Sequence, residues 1–96
     1  MKLSILEIDI AQGIACSADR CPIANAVRRT VPDLSDILVT QSTVRYRNAS
    51  GAWCMGFLST RAIRMVNRYD NGGEFSPMTI ALNFWEEPYC GVSVAT

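Results

Sequence analysis

Apolar and polar positions change their period repeatedly along this chain, and each change predicts an element. Leu3, Ile5, Leu6 and Ile8 form a short Ile/Leu-rich run flanked by polar residues, which predicts a strand over 3–8. Gly13 breaks the pattern, and 15–20 reads as a loop. Cys21-Pro22 then opens a helix, because proline at the first helical position gives up no intrahelical hydrogen bond. Pro32-Asp33 stops it, so the helix is predicted over 22–31. At about 100° per residue Ile23, Ala26, Val27, Thr30 and Val31 share one side, Asn25 and Arg29 point away, and Arg28 sits at the border.

Residues 37–47 are rich in β-branched and aromatic side chains. Their alternation slips near Gln41 and Ser42, which predicts either a bulge or two short strands. Asn48-Ala49-Ser50-Gly51 is a turn signal, and 53–58 returns as the partner strand of a hairpin. Ser59 is a helix N-cap for a second helix over 60–69, with Ala62, Val66 and Tyr69 as its buried stripe and Ile63 and Met65 beside it. Asn71-Gly72-Gly73 ends that helix by supplying residues that tolerate left-handed φ. Met78, Ile80, Leu82 and Phe84 then alternate with Thr79, Ala81, Asn83 and Trp85, as in a half-buried strand.

The order is β-α-β-β-α-β. It predicts an α+β fold: a small antiparallel sheet with two helices on one face, ferredoxin-like or a variant with the same elements. Residues 1–85 read as a single domain and 86–96 as a C-terminal extension or short edge strand. Ile23, Val27, Val66, Ile80, Leu82 and Phe84 are expected in the core, as is Phe57. No internal repeat and no low-complexity tract occurs.

The chain has 96 residues, 49% of them hydrophobic and 19% charged, which fits one folded domain and argues against disorder. No run approaches the roughly 18 apolar residues of a membrane span. Acids at Glu7 and Asp9 interrupt the N-terminal apolar stretch where a signal peptide needs continuity, so the expected location is cytoplasmic. Four cysteines, Cys16, Cys21, Cys54 and Cys90, admit free thiols, a zinc site or disulfides. The Cys-x4-Cys spacing is wider than a zinc knuckle's and no histidine is available to help, so reduced, metal-free thiols are the expected state.

Charge changes the picture more than composition does. The formal net charge is zero, yet it is segregated. All eight arginines fall between Arg20 and Arg68, a span whose only acids are Asp33 and Asp36. Acidic residues flank that basic centre on both sides, with Asp70, Glu74, Glu86 and Glu87 toward the C-terminus. Such asymmetry points to a charged partner surface.

The absence of histidine removes the commonest general base, and with it Ser-His and Cys-His nucleophile pairs. No phosphate-cradling glycine loop occurs, and Glu86-Glu87, being adjacent, point to opposite sides of an extended chain. The expected protein is not an enzyme and uses no cofactor. Its candidate chemistry lies in arginines. Arg61, Arg64 and Arg68 lie within about 60° of one another on the second helix, opposite its apolar stripe. Arg45 and Arg47 share one sheet face by their alternation with Val44 and Tyr46. Arginine rather than lysine supplies a planar fork for carboxylates or phosphates. An exposed sheet of this kind invites comparison with modules that stack single-stranded bases on strand aromatics, here Tyr46, Trp53, Phe57, Phe84 and Trp85, although their consensus is missing.

Cys21-Pro22-Ile23-Ala24-Asn25-Ala26-Val27-Arg28-Arg29, preceded by Ile10-x-x-Gly13 and Cys16, resembles a group of small uncharacterised bacteriophage proteins that carry a Gly…Cys-Pro-hydrophobic-Ala helix. Tyr69-Asp70-Asn71-Gly72 and the strand after Phe75-Ser76-Pro77 extend the likeness over roughly residues 8–82, with Met78 where the group has an aromatic. The resemblance implies a short cytoplasmic phage product. By analogy it implies an anti-CRISPR-type inhibitor that docks on a host nucleoprotein such as a CRISPR effector. In that role Asp70, Glu74, Glu86 and Glu87 would enter a basic groove, or Arg45, Arg47, Arg61, Arg64 and Arg68 would meet an acidic patch. The alternatives are a small nucleic-acid-binding accessory protein using the arginine face, and a structural phage protein that dimerises through the tail around Trp85, Tyr89 and Val92.

Overall fold

A computed structural model describes residues 1–86 of the chain as an α+β fold. Its elements are β1 (Lys2–Ile5), α1 (Glu7–Ala11), α2 (Pro22–Thr30), β2 (Asp36–Val39), β3 (Thr43–Arg47), β4 (Trp53–Phe57), α3 (Thr60–Asp70), β5 (Met78–Ala81) and β6 (Trp85–Glu86). The strands form two antiparallel sheets among the described residues, β1-β5 and β2-β3-β4-β6. The helix-and-strand order follows the expected alternation, with more strands than it required. A single ferredoxin-like sheet would need β1 beside the central hairpin. Here β6 takes the free edge of β4, pairing Trp85 with Met55 and Glu86 with Cys54, and β1 pairs only with β5.

The two longer helices start as their sequences require. Cys21 caps α2, its Sγ accepting the Ala24 N–H at 3.5 Å, and Ser59 Oγ accepts the Ala62 N–H of α3 at 3.2 Å. Thr30, expected on the apolar side of α2, is exposed because it occupies the last helical position. The slip at Gln41-Ser42 is a hairpin and not a bulge. Thr40 Oγ1 accepts the N–H groups of Ser42 and Thr43 at 3.3 and 3.0 Å and so closes the turn. Asn48 Oδ1 closes the next turn by accepting from Ser50 N and Ala52 N, both at 3.0 Å, with Gly51 at φ +88°.

The strand expected over 3–8 stops at Ile5, and Glu7–Ala11 is a short helix instead. Its cause is tertiary. The Asp9 carboxylate, buried, accepts the Leu6 N–H at 2.9 Å and two bonds from Arg29, Nε at 3.2 Å and Nη2 at 2.9 Å. Arg29 Nη2 also donates to the Ser4 carbonyl at 2.7 Å, which ties β1, α1 and α2 together. The pairing with Asp9 raises the Arg29 pKa further above its ordinary value.

One hydrophobic core joins both sheets and the longer helices. Leu3, Ile5, Ile23, Val27, Ile37, Val44, Ala62, Val66, Ile80 and Leu82 belong to it, and Phe84 is half-buried against it, its ring 5.0 Å from that of Tyr46. Gly56 is required on the inner face of β4, where a Cβ would lie 3.1 Å from the Phe84 ring and the Asn83 carbonyl. Phe57 does not enter the core and is 60% exposed. It shares strand parity with Trp53 and Met55, while the inward positions belong to Cys54 and Gly56. No helix among the described residues is long and apolar enough to cross a membrane.

Candidate nucleic-acid interface

Strand register writes the outward face of the four-stranded sheet directly. Ile37, Val39, Val44 and Cys54 are buried on the inward side, so their neighbours point away from the core. Three cross-strand rows result. The first is Asp36-Arg47-Trp53, the second Leu38-Arg45-Met55-Trp85, and the third Thr43-Phe57. Rows on one face are about 7 Å apart. The helical part of the core lies on the other side of the sheet, with Ala62 and Val66 of α3 and Ile23 and Val27 of α2 in one cluster with Ile37 and Val44.

This face combines cations with rings. The guanidinium carbons of Arg45 and Arg47 each lie 4.9 Å from the centroid of the Trp53 ring. Phe57 and Trp85 form an exposed ring pair, centroids 5.5 Å apart and planes inclined by 45°. At the β2 edge the first row opens into a cleft of about 430 Å³ whose walls include Asp19, Arg28, Ser35, Asp36, Arg47 and Trp53. Arg47 Nε lies 3.3 Å from Asp36 Oδ2, an ion pair without hydrogen-bond geometry. Arg28 is fixed from behind by bonds to Asn25 Oδ1 at 3.1 Å and to the Asp19 carbonyl.

The candidate residues from sequence are not all brought together. Arg45 and Arg47 are adjacent on the sheet. Arg61, Arg64 and Arg68 are exposed on α3, line a shallow groove with Thr60 and Met65, and face away from the shared core on another surface. Among the described residues none of these three has a side-chain ion pair or hydrogen bond. The acidic set is dispersed as well. Asp70 is occupied by the fold, its Oδ1 accepting the Cys16 N–H at 2.9 Å, whereas Glu74 and Glu86 are exposed. Glu87, Tyr89 and Val92 lie outside the described residues, as does all of 86–96 except Glu86.

Arg28 and Asp36 are the residues of this surface that carry no signal in the sequence; Trp53 and Phe57 are two of the strand aromatics named above, and for Phe57 the signal against a core position is its parity with Trp53. Among the described residues Cys16, Cys21 and Cys54 are free, and no cluster of three or more metal-ligating side chains forms. Burial pushes the Cys21 thiol pKa up, and burial followed by the neighbouring Cys54 thiol does the same for the Tyr46 phenol. Comparison with family models, with characterised protein sequences and with solved structures finds no match.

Proposed function

We propose that this protein is a non-enzymatic nucleic-acid-binding protein that holds single strands on the outward face of its four-stranded sheet. The observation that carries this reading is the convergence of Arg45 and Arg47 on the Trp53 ring, in line with the exposed Phe57–Trp85 pair. Bases stack on rings and on guanidinium planes, phosphates meet the cations, and neither contact needs a catalytic group. A duplex hides its base faces, so it would engage only the cations. The test is fluorescence anisotropy with short uridine or thymidine strands across a salt series. Binding should weaken as salt rises, and Arg45→Ala with Arg47→Ala should flatten the slope. Equal affinity for duplex and single strand, or no salt dependence, would count against it.

A second reading keeps the inhibitor of a host-defence nucleoprotein, anti-CRISPR-type, as the biological setting. It is favoured by Glu74 and Glu86, exposed acids placed to enter a basic groove. Glu74→Lys with Glu86→Lys should then abolish inhibition in an interference assay and leave oligonucleotide binding intact.

A further inference from the structure

We infer that the cleft at the β2 edge is a subsite for one unpaired guanine base, which would give the sheet face a sequence preference. This rests on the single-strand reading above and adds to it the identity of a preferred base. The lining of the cleft includes two arginines, Arg28 and Arg47, and two aspartates, Asp19 and Asp36. A phosphate would meet as much repulsion as attraction there, so the chemistry selects a group with both donors and acceptors.

Among the bases, only guanine carries two adjacent donors on one edge, N1–H and N2–H, which a single carboxylate accepts together. It also carries two adjacent acceptors, O6 and N7, which a guanidinium fork satisfies. Cytosine and adenine place a ring-nitrogen acceptor beside their amino group, and uracil flanks its one N–H with two carbonyls, so each turns a lone pair toward the carboxylate. Asp36 is the carboxylate best suited to the task. Its side chain is 54% exposed, and its contact with Arg47 Nε at 3.3 Å lacks hydrogen-bond geometry, so it retains accepting capacity. Arg28 is held in position by Asn25 and the Asp19 carbonyl and has further N–H groups to offer. Trp53, in the same row as Asp36, supplies a ring wall, and about 430 Å³ accommodates a base with its sugar.

The experiment uses the full chain and two probes. The first is a set of short single-stranded uridine oligonucleotides, with and without one central guanosine, measured by anisotropy at fixed salt. The guanosine strand should bind about 10-fold or more tightly, the scale of a bidentate base contact. Asp36→Asn should erase that difference and, by freeing Arg47 of its ion pair, leave the uridine strand bound at least as tightly as by the wild type. The second probe is 5′-GMP against 5′-UMP, followed by NMR at the tryptophan indole N–H groups. GMP should shift Trp53 and leave Trp85 in place, and UMP should shift neither. Equal binding of both strands by the wild type, or a guanosine preference that survives Asp36→Asn, overturns the subsite while leaving the single-strand reading standing. A Trp53 shift specific to GMP without any strand binding sinks that reading and keeps the subsite. No response to either probe sinks both.

Discussion

Replacing Phe57 by alanine separates binding from folding more cleanly than any other single change on this face. The ring is 60% exposed, so only about two-fifths of its burial energy is at stake. Full burial of such a side chain is worth about 1.5–3 kcal/mol, which puts the stability cost near 1 kcal/mol. In a domain of this size that lowers the melting temperature by about 4–8 °C. Losing a stacking platform costs about 1–3 kcal/mol per base, or roughly 5- to 150-fold in Kd. Urea denaturation would measure the first quantity, and anisotropy with a labelled single strand the second. No cation is removed, so the affinity should drop by the same factor at every salt concentration, with the slope of log K against log salt unchanged. Phe57→Trp should retain most of the binding. An affinity within about twofold of wild type for Phe57→Ala would refute base stacking on this face. A changed salt slope would mean that the ring acts only by positioning Trp85 and the arginines.

Leu82 is 1% exposed in the core and its backbone pairs with Met1, so Leu82→Ala should cost about 2–5 kcal/mol in a urea titration; an unchanged midpoint would place the side chain outside the core. Gly13→Ala introduces a Cβ 2.9 Å from the Pro22 ring and 3.0 Å from the Tyr69 hydroxyl, and should destabilise by about 1–3 kcal/mol with strand binding unaffected. Cys21 and Tyr46 have folded-state pKa values raised by burial, so the unfolded chain releases both protons first. Their contribution to stability should therefore be constant below pH about 8.5 and be lost as pH rises through the alkaline range. Cys21→Ser keeps a capping oxygen and should flatten the first part of that loss.

How much of this could be read in the sequence depends on the range of the interaction that fixes each element. Cys21-Pro22, Ser59 and the Asn48–Gly51 turn act within a few residues, and both longer helices and the β3–β4 hairpin are legible from them. The short helix α1 was not legible. Its sequence reads as a continuing Ile/Leu strand, and the Asp9 carboxylate that turns it into a helix is held by Arg29, twenty positions away. The split into two sheets was hidden for the same reason, since the β1–β5 and β4–β6 pairings join distant segments.

The functional surface divides along the same line. Once residues 43–47 and 53–57 are paired across their turn, parity alone puts Arg45 and Arg47 on the face of Trp53, Met55 and Phe57. Hydrophobicity alone places Phe57 in the core, yet in a strand that covers one side only, parity decides, and Phe57 shares it with Trp53. The Asp19–Arg28 wall of the cleft obeys no such rule. Arg28 reads as a solvated helix residue until its bond to the Asp19 carbonyl and the approach of the β2 edge set it beside Arg47 and Trp53. A sheet face that stacks bases can therefore be inferred from alternation, whereas the selection of one base depends on a helix packed against that sheet's edge. It follows that a change confined to the α2 side, such as Arg28→Ala, should remove base preference and leave general strand affinity to the two arginines and three rings that the hairpin and β6 bring together.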